Sequence, residues 1–79
     1  MDQIKEKLCK ILQTILYIDA EIDEYLGFFD MGISSLTVFT FCDEIKEQIG
    51  ANCEDTDIFN YTNICELSEY IYKIKNEDL

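Results

Sequence analysis

The sequence contains no histidine, no tryptophan and no proline, and its six basic residues are all lysine. Without histidine, Ser-His and Cys-His nucleophile pairs and histidine-ligated metal centres are unavailable. Positive charge is scarce: 17 Asp and Glu face 6 Lys, leaving a formal net charge of −11 and an isoelectric point near 4.1. Nucleic-acid binding is excluded on this ground, because neutralising phosphates needs a basic surface. Docking to an anionic membrane is disfavoured for the same reason. No apolar run approaches the roughly 20 residues of a membrane span. The first eight residues, MDQIKEKL, lack the apolar segment of a signal peptide, so the expected location is the cytoplasm.

Cysteine is present but without a metal or disulfide pattern. Cys9, Cys42, Cys53 and Cys65 make no C-x-x-C pair, and no histidine completes a zinc set. In a reducing compartment they are expected to act as small, buried apolar side chains.

With 79 residues, 48% of them hydrophobic, the chain suffices for a single domain spanning residues 1–79, near the lower limit for an unaided core. Residues 2–16 place Ile4, Leu8, Ile11, Leu12, Ile15 and Leu16 on one helical stripe, the pattern of an amphipathic helix. The period breaks over 17–34, where the acidic Asp19, Glu21, Asp23 and Glu24 and the glycines Gly27 and Gly32 are interspersed with Leu26, Phe28, Phe29, Met31 and Ile33. A connection this long and this apolar is expected to pack down by its own side chains. Helical spacing returns over 35–49, with Val38, Phe41, Cys42, Ile45 and Ile49 facing inward and Gly50 ending the helix as its C′ residue. A short helix is expected from Asp55 to Tyr61, anchored by Ile58 and Phe59. A last helix follows, with Thr62 as its N-cap and Ile64, Leu67, Ile71 and Ile74 inward. The expected fold is all-α: a four-helix bundle of three main helices and one short one, with a long loop between the first two.

The chemistry concentrates in Phe28-Phe29-Asp30-Met31-Gly32-Ile33-Ser34-Ser35-Leu36. An aromatic pair leads through a glycine turn to two serines that open a helix. Serines here commonly cap backbone N–H groups. The same helix end favours an anion, so a phosphate ester on such a serine sits in a favourable field. No neighbouring base activates either serine as a nucleophile.

The stretch Phe29-Asp30-Met31-Gly32-Ile33-Ser34-Ser35-Leu36 resembles the attachment motif of acyl and peptidyl carrier proteins, which runs aromatic, acid, Leu or Met, Gly, any residue, Asp or His, Ser, Leu. Farther on, Asp57-Ile58-Phe59-Asn60-Tyr61-Thr62-Asn63-Ile64 resembles the family's L-F-x-x-P-T-I segment, and Leu67 to Ile71 its L-A-x-x-I. The resemblance covers nearly the whole chain and leans toward polyketide or nonribosomal peptide carriers. It implies that a magnesium-dependent phosphopantetheinyl transferase places phosphopantetheine from coenzyme A on Ser35. It also implies that the arm's thiol holds an acyl or aminoacyl cargo as a thioester, which partner enzymes load and process. By the same resemblance the chain is expected to be a non-catalytic carrier, a free-standing, monomeric tether that raises the local concentration of cargo. Two positions depart from the family pattern. Ser34 stands where Asp or His is usual, and Tyr61 where Pro is frequent.

Leu36, Phe39, Asp43 and Glu47 fall on the face of their helix opposite the core stripe. Apolar side chains beside carboxylates there form an expected partner-docking patch. The competing reading is a noncovalent acidic interaction module in which Ser35 serves only as a helix cap. Asp19, Glu21, Asp23 and Asp30 have the spacing of a calcium loop, but Glu24 occupies the position that needs glycine, so no metal is expected.

Overall fold

The computed structural model describes residues 2–77. It contains four helices: α1 (Asp2–Leu16), α2 (Ser35–Gln48), α3 (Asp55–Asn60) and α4 (Ile64–Glu77). No strand occurs among the described residues. The expected helix order, the short third helix and the long first loop are all present.

Helix α1 packs against α2 and α4, and α3 against α2. The inward stripes meet in one core. Leu8, Ile11 and Leu12 come from α1, Val38, Phe41 and Ile45 from α2, and Ile64, Leu67 and Ile71 from α4. Ile4, Ile15, Leu16, Cys42 and Ile74 pack at its margin, half-buried. Removing this apolar surface from water is the main stabilising term in a chain so small. Among the described residues Ser68 is the one buried polar residue, and its hydroxyl donates to the Cys65 carbonyl at 2.8 Å, so its burial leaves no orphaned group.

The cysteines follow their expected role only in part. Cys53 is buried, whereas Cys9, Cys42 and Cys65 are half-buried, and all four are free. Burial pushes the Cys53 thiol up to about 12, with the Asp57 charge adding to it.

The long loop is tied down, as its apolar content requires. Phe28 and Ile33 enter the core, and the Phe28 ring meets Phe41 edge to face at 5.1 Å. The Phe28 N–H donates to the Thr62 carbonyl at 2.7 Å, and the Cys65 N–H to the Glu24 carbonyl at 3.0 Å. Glu24 also pairs with Lys5 of α1 at 3.2 Å.

Two helix ends use left-handed backbone. Gly50 follows α2 with φ of 80°, the conformation glycine adopts without strain. Tyr17 ends α1 with φ of 56°, and the Ile18 N–H closes onto the Gln13 carbonyl at 3.0 Å. That is a Schellman-type closure with tyrosine where glycine is usual, so the turn carries backbone strain.

One cap differs from expectation. The N-cap of α4 is Asn63, not Thr62: the Asn63 Oδ1 accepts from the Glu66 N–H at 2.8 Å. Thr62 is engaged elsewhere, its carbonyl holding the loop at Phe28. Asparagine and threonine both cap well, so the choice fell to the neighbour whose carbonyl was free to start the helix.

Candidate functional site

Ser34 and Ser35 sit side by side where the long loop turns into α2. Gly32, with φ of 116°, makes the turn in a region that side-chain-bearing residues rarely enter. The loop reaches this point from the buried Phe28 and enters α2 through the buried Ile33. The start of α2 is therefore fixed by core residues on either side, Ile33 before it and Val38 within it.

The two serines divide the work. Ser34 is the N-cap, in extended backbone. Its hydroxyl accepts from the Thr37 N–H at 3.3 Å and lies 2.8 Å from the Thr37 hydroxyl. Its carbonyl accepts from the Val38 N–H at 3.0 Å. Ser35 is the first helical residue and is exposed. Among the described residues, no side-chain hydrogen bond engages its hydroxyl. A helix leaves its first N–H groups without internal partners; with Thr37 and Val38 satisfied, those of Ser35 and Leu36 remain. A phosphodiester on the Ser35 oxygen fits here: the hydroxyl is accessible, it is not consumed by capping, and the helix dipole favours the added negative charge. The capping task that the competing reading assigned to Ser35 belongs to Ser34.

The remaining sequence-derived candidates line the outer side of α2. Leu36 is 82% exposed and Phe39 59%, and Asp43 and Glu47 are exposed below them. These four do share one face, turned away from the core.

Two exposed aromatic residues outside α2 escape a reading by sequence pattern. Phe59, expected to anchor the short helix, is half exposed, and Ile58 alone anchors it in the core. Phe59 stacks instead on Phe29 of the long loop, ring centroids 5.3 Å apart and planes 6° apart. The residues are thirty positions apart in sequence, and no local periodicity pairs them. The one signal available was the run of two adjacent phenylalanines, since neighbours at a helix edge or in a turn cannot both point inward.

The electrostatics of this side are one-signed. Residues 17–63 contain eleven carboxylates and a single lysine, Lys46. Burial pushes the Cys42 thiol up to about 11, and the charges of Asp55, Asp43, Asp57 and Glu54 push it the same way. Carboxylates from both α2 and α3 thus gather around one point. At the start of α3 the Asp57 carboxylate accepts from the Glu54 N–H at 3.0 Å, closing its first turn.

Comparison with known proteins places these features together. Residues 6–71 match the family model described as a phosphopantetheine attachment site. The chain is 32% identical over its full length to part of the polyketide synthase PksN of Bacillus subtilis (strain 168), spanning 1% of that protein. It is 32% identical over 69 residues, 87% of the chain, to bacitracin synthase 3 of Bacillus licheniformis, again 1% of the relative. Among solved structures, it resembles the solution structure of a non-covalent extended docking domain complex of the Pax NRPS, PaxA T1-CDD/PaxB NDD. The TM-score is 0.81 at 36% identity, covering 92% of this chain and 69% of that one.

Proposed function

Because the chain belongs to the phosphopantetheine-attachment family of non-catalytic carriers, of the polyketide or nonribosomal peptide type and with phosphopantetheine as covalent cofactor, we propose that Ser35 is the attachment point and that the protein tethers an acyl or aminoacyl intermediate there. The observation that carries this reading is the division of labour between the serines. Ser34 holds the helix end, and Ser35 offers a free hydroxyl at the same end.

The attachment is a substitution at phosphorus. The Ser35 oxygen forms a bond to the pantetheine phosphate of coenzyme A, the diphosphate bond breaks, and the nucleotide portion leaves. The hydroxyl proton passes to a base on the transferase. When bound, the arm supplies a thiol that holds cargo as a thioester. The chain's own residues present the serine, keep its helix end rigid and offer a docking face at Leu36, Phe39, Asp43 and Glu47. That face suits basic partners: the transferase first, then the enzymes that load and process cargo.

The reading treats residues 1–79 as one carrier domain, monomeric and cytoplasmic; four unpaired thiols accord with a reducing compartment. The same tether works as a free-standing chain, as the sequence reading expects, or in line with synthase domains. The mass of the native polypeptide decides between them.

The test is incubation with coenzyme A, magnesium and a broad-specificity transferase, followed by intact mass measurement. A gain of one phosphopantetheine is expected, lost in Ser35→Ala and retained in Ser34→Ala. Modification that persists in Ser35→Ala assigns the arm elsewhere. A wild-type protein that gains no mass with several transferases is a noncovalent acidic module instead.

A further inference from the structure

We propose that Thr37 is a positioning residue for the attachment reaction: its hydroxyl locks the Ser34 cap, and the locked cap holds the Ser35 oxygen ready to attack phosphorus. In that step the bond from the Ser35 oxygen to phosphorus forms, the diphosphate bond of coenzyme A breaks, and the hydroxyl proton passes to a base of the transferase. The role rests on the reading of Ser35 as the attachment point and names a residue that sets the rate there.

Two hydrogen bonds join Thr37 to the Ser34 hydroxyl, and they differ in quality. The Thr37 N–H donates at 3.3 Å, beyond the roughly 2.7–3.2 Å usual for N–H···O. The two hydroxyls lie 2.8 Å apart, an ordinary length for O–H···O. The hydroxyl pair is the tighter half of the cap. A capping serine is neutral, and its side chain turns among staggered rotamers. Thr37 narrows that choice. It is half-buried, its neighbour Val38 is fixed in the core, and a β-branched side chain in a helix has few χ1 positions. Its hydroxyl is a fixed point that keeps the Ser34 oxygen over the helix end.

Ser35 lies inside this closure. The chain runs Ser34-Ser35-Leu36-Thr37, so the ring closed between Ser34 and Thr37 contains the backbone of Ser35 and Leu36. The Val38 N–H, bonded to the Ser34 carbonyl at 3.0 Å, closes the same turn from the backbone. Ser35 itself is exposed, so its direction is set by the backbone that carries it. Helix ends fray when their caps are weak. A nucleophile that wanders with a frayed turn spends less time in the attacking geometry, and the rate falls with it.

The test is the single-turnover rate of phosphopantetheine transfer from coenzyme A to the full chain, with magnesium and a broad-specificity transferase in varied excess. It yields a maximal rate and a half-saturating concentration. Thr37→Val keeps the side chain's shape and removes its hydroxyl. It is expected to lower the maximal rate about fivefold, the size of one helix cap, and to leave half-saturation within about twofold. Thr37→Ser returns the hydroxyl and is expected to return the rate. Ser34→Ala breaks the same pair from its other end. It is expected to slow the transfer to the same degree while still reaching completion, and the Ser34→Ala, Thr37→Val double variant to be no slower than either change alone. Ser34→Asp puts a charge-assisted cap on the Thr37 N–H that needs no second hydroxyl, so Thr37→Val in that background is expected to cost nothing. An unchanged maximal rate in Thr37→Val overturns the positioning role. A rise in half-saturation alone also overturns it, by making Thr37 a partner contact, as does undiminished slowing in the Ser34→Asp background. If Thr37→Val fails to fold, Ser34→Ala decides, and a wild-type rate there overturns the role. Wild-type protein that gains no phosphopantetheine is a separate outcome, which overturns the Ser35 reading and the role of Thr37 with it.

Discussion

The two outer helices and the segment between them differ in charge and in surface. Helices α1 and α4 together hold five acidic residues and five of the six lysines, so they are balanced, while residues 17–63 carry a net −10. Among the described residues, eight large apolar or aromatic side chains stand exposed; seven lie in that middle segment and one, Tyr72, on α4. Three of the five lysines on the outer helices make contacts within the molecule, Lys5 with Glu24 of the loop among them. Lys75 donates to the Ile49 carbonyl at 2.6 Å and Lys7 to the Gln48 carbonyl at 3.4 Å, tying both helices to the end of α2. Cations there also complement the α2 dipole. The comparison separates a scaffold, whose charges are spent on cohesion, from a working surface whose charges and apolar groups face solvent.

The contrast can be broken at its shared foundation. Both regions meet in the core at Phe41, which touches Phe28 of the loop. Phe41→Ala is expected to cost about 3–5 kcal/mol. For a domain of this size, whose whole stability is about 4–12 kcal/mol, that is a large share, and urea denaturation measures it. A loss below about 1 kcal/mol would mean that the loop holds itself down without the core.

A second change sharpens the contrast without touching the core. Asp43→Lys with Glu47→Lys and Glu6→Lys with Glu69→Lys alter net charge equally. The first pair is expected to slow association with the transferase about tenfold at low salt, and the second to change it little. Stopped-flow rates at two ionic strengths read both. Equal slowing would make the acidity a diffuse field instead of a directed face.

The strained end of α1 supplies a smaller effect at the border between the two regions. Tyr17 is 93% exposed and sits in left-handed backbone. Tyr17→Gly is expected to raise stability by about 1 kcal/mol by relieving that strain. Thermal unfolding would show it as a rise of several degrees, and no rise would mean the tyrosine ring makes good its own strain.

The smallest effect is a pH dependence. Cys42 and Cys53 have folded-state values of about 11 and about 12, above the ordinary 9.0, so the fold favours their neutral forms. Their contribution is fully present below pH 9 and is lost as pH rises through the folded-state values. Burial and then the Asp57 charge push Tyr70 in the same direction. The melting temperature is expected to fall between about pH 9 and pH 12, and Cys53→Ala to shallow that fall without abolishing it. An identical slope in the variant would assign the whole dependence to other groups.

Much of this molecule is legible along the chain. The stripes of α1, α2 and α4 recur at helical spacing because each helix must bury one face against the others, and those stripes are the observed core. The motif from Phe29 to Leu36 is read from residue types at fixed spacing, and it marks the start of α2 where the two serines stand. Other features required the fold. Phe28 and Phe29 are chemically identical neighbours, and only the hydrogen bond to Thr62 and the contact with Phe41 decide which is inside. Thr62 and Asn63 both suit an N-cap, and the loop's claim on the Thr62 carbonyl decides between them.

The sequence by itself determined the helices, the acidic balance, the family and the pair of serines, because each follows from local spacing or from composition. The tertiary structure alone decided which serine caps, that Lys7 and Lys75 bond to the end of α2, and that Phe29 meets Phe59. Those outcomes depend on contacts between residues far apart in the chain, and such contacts are set by how the helices pack, not by what lies next to what.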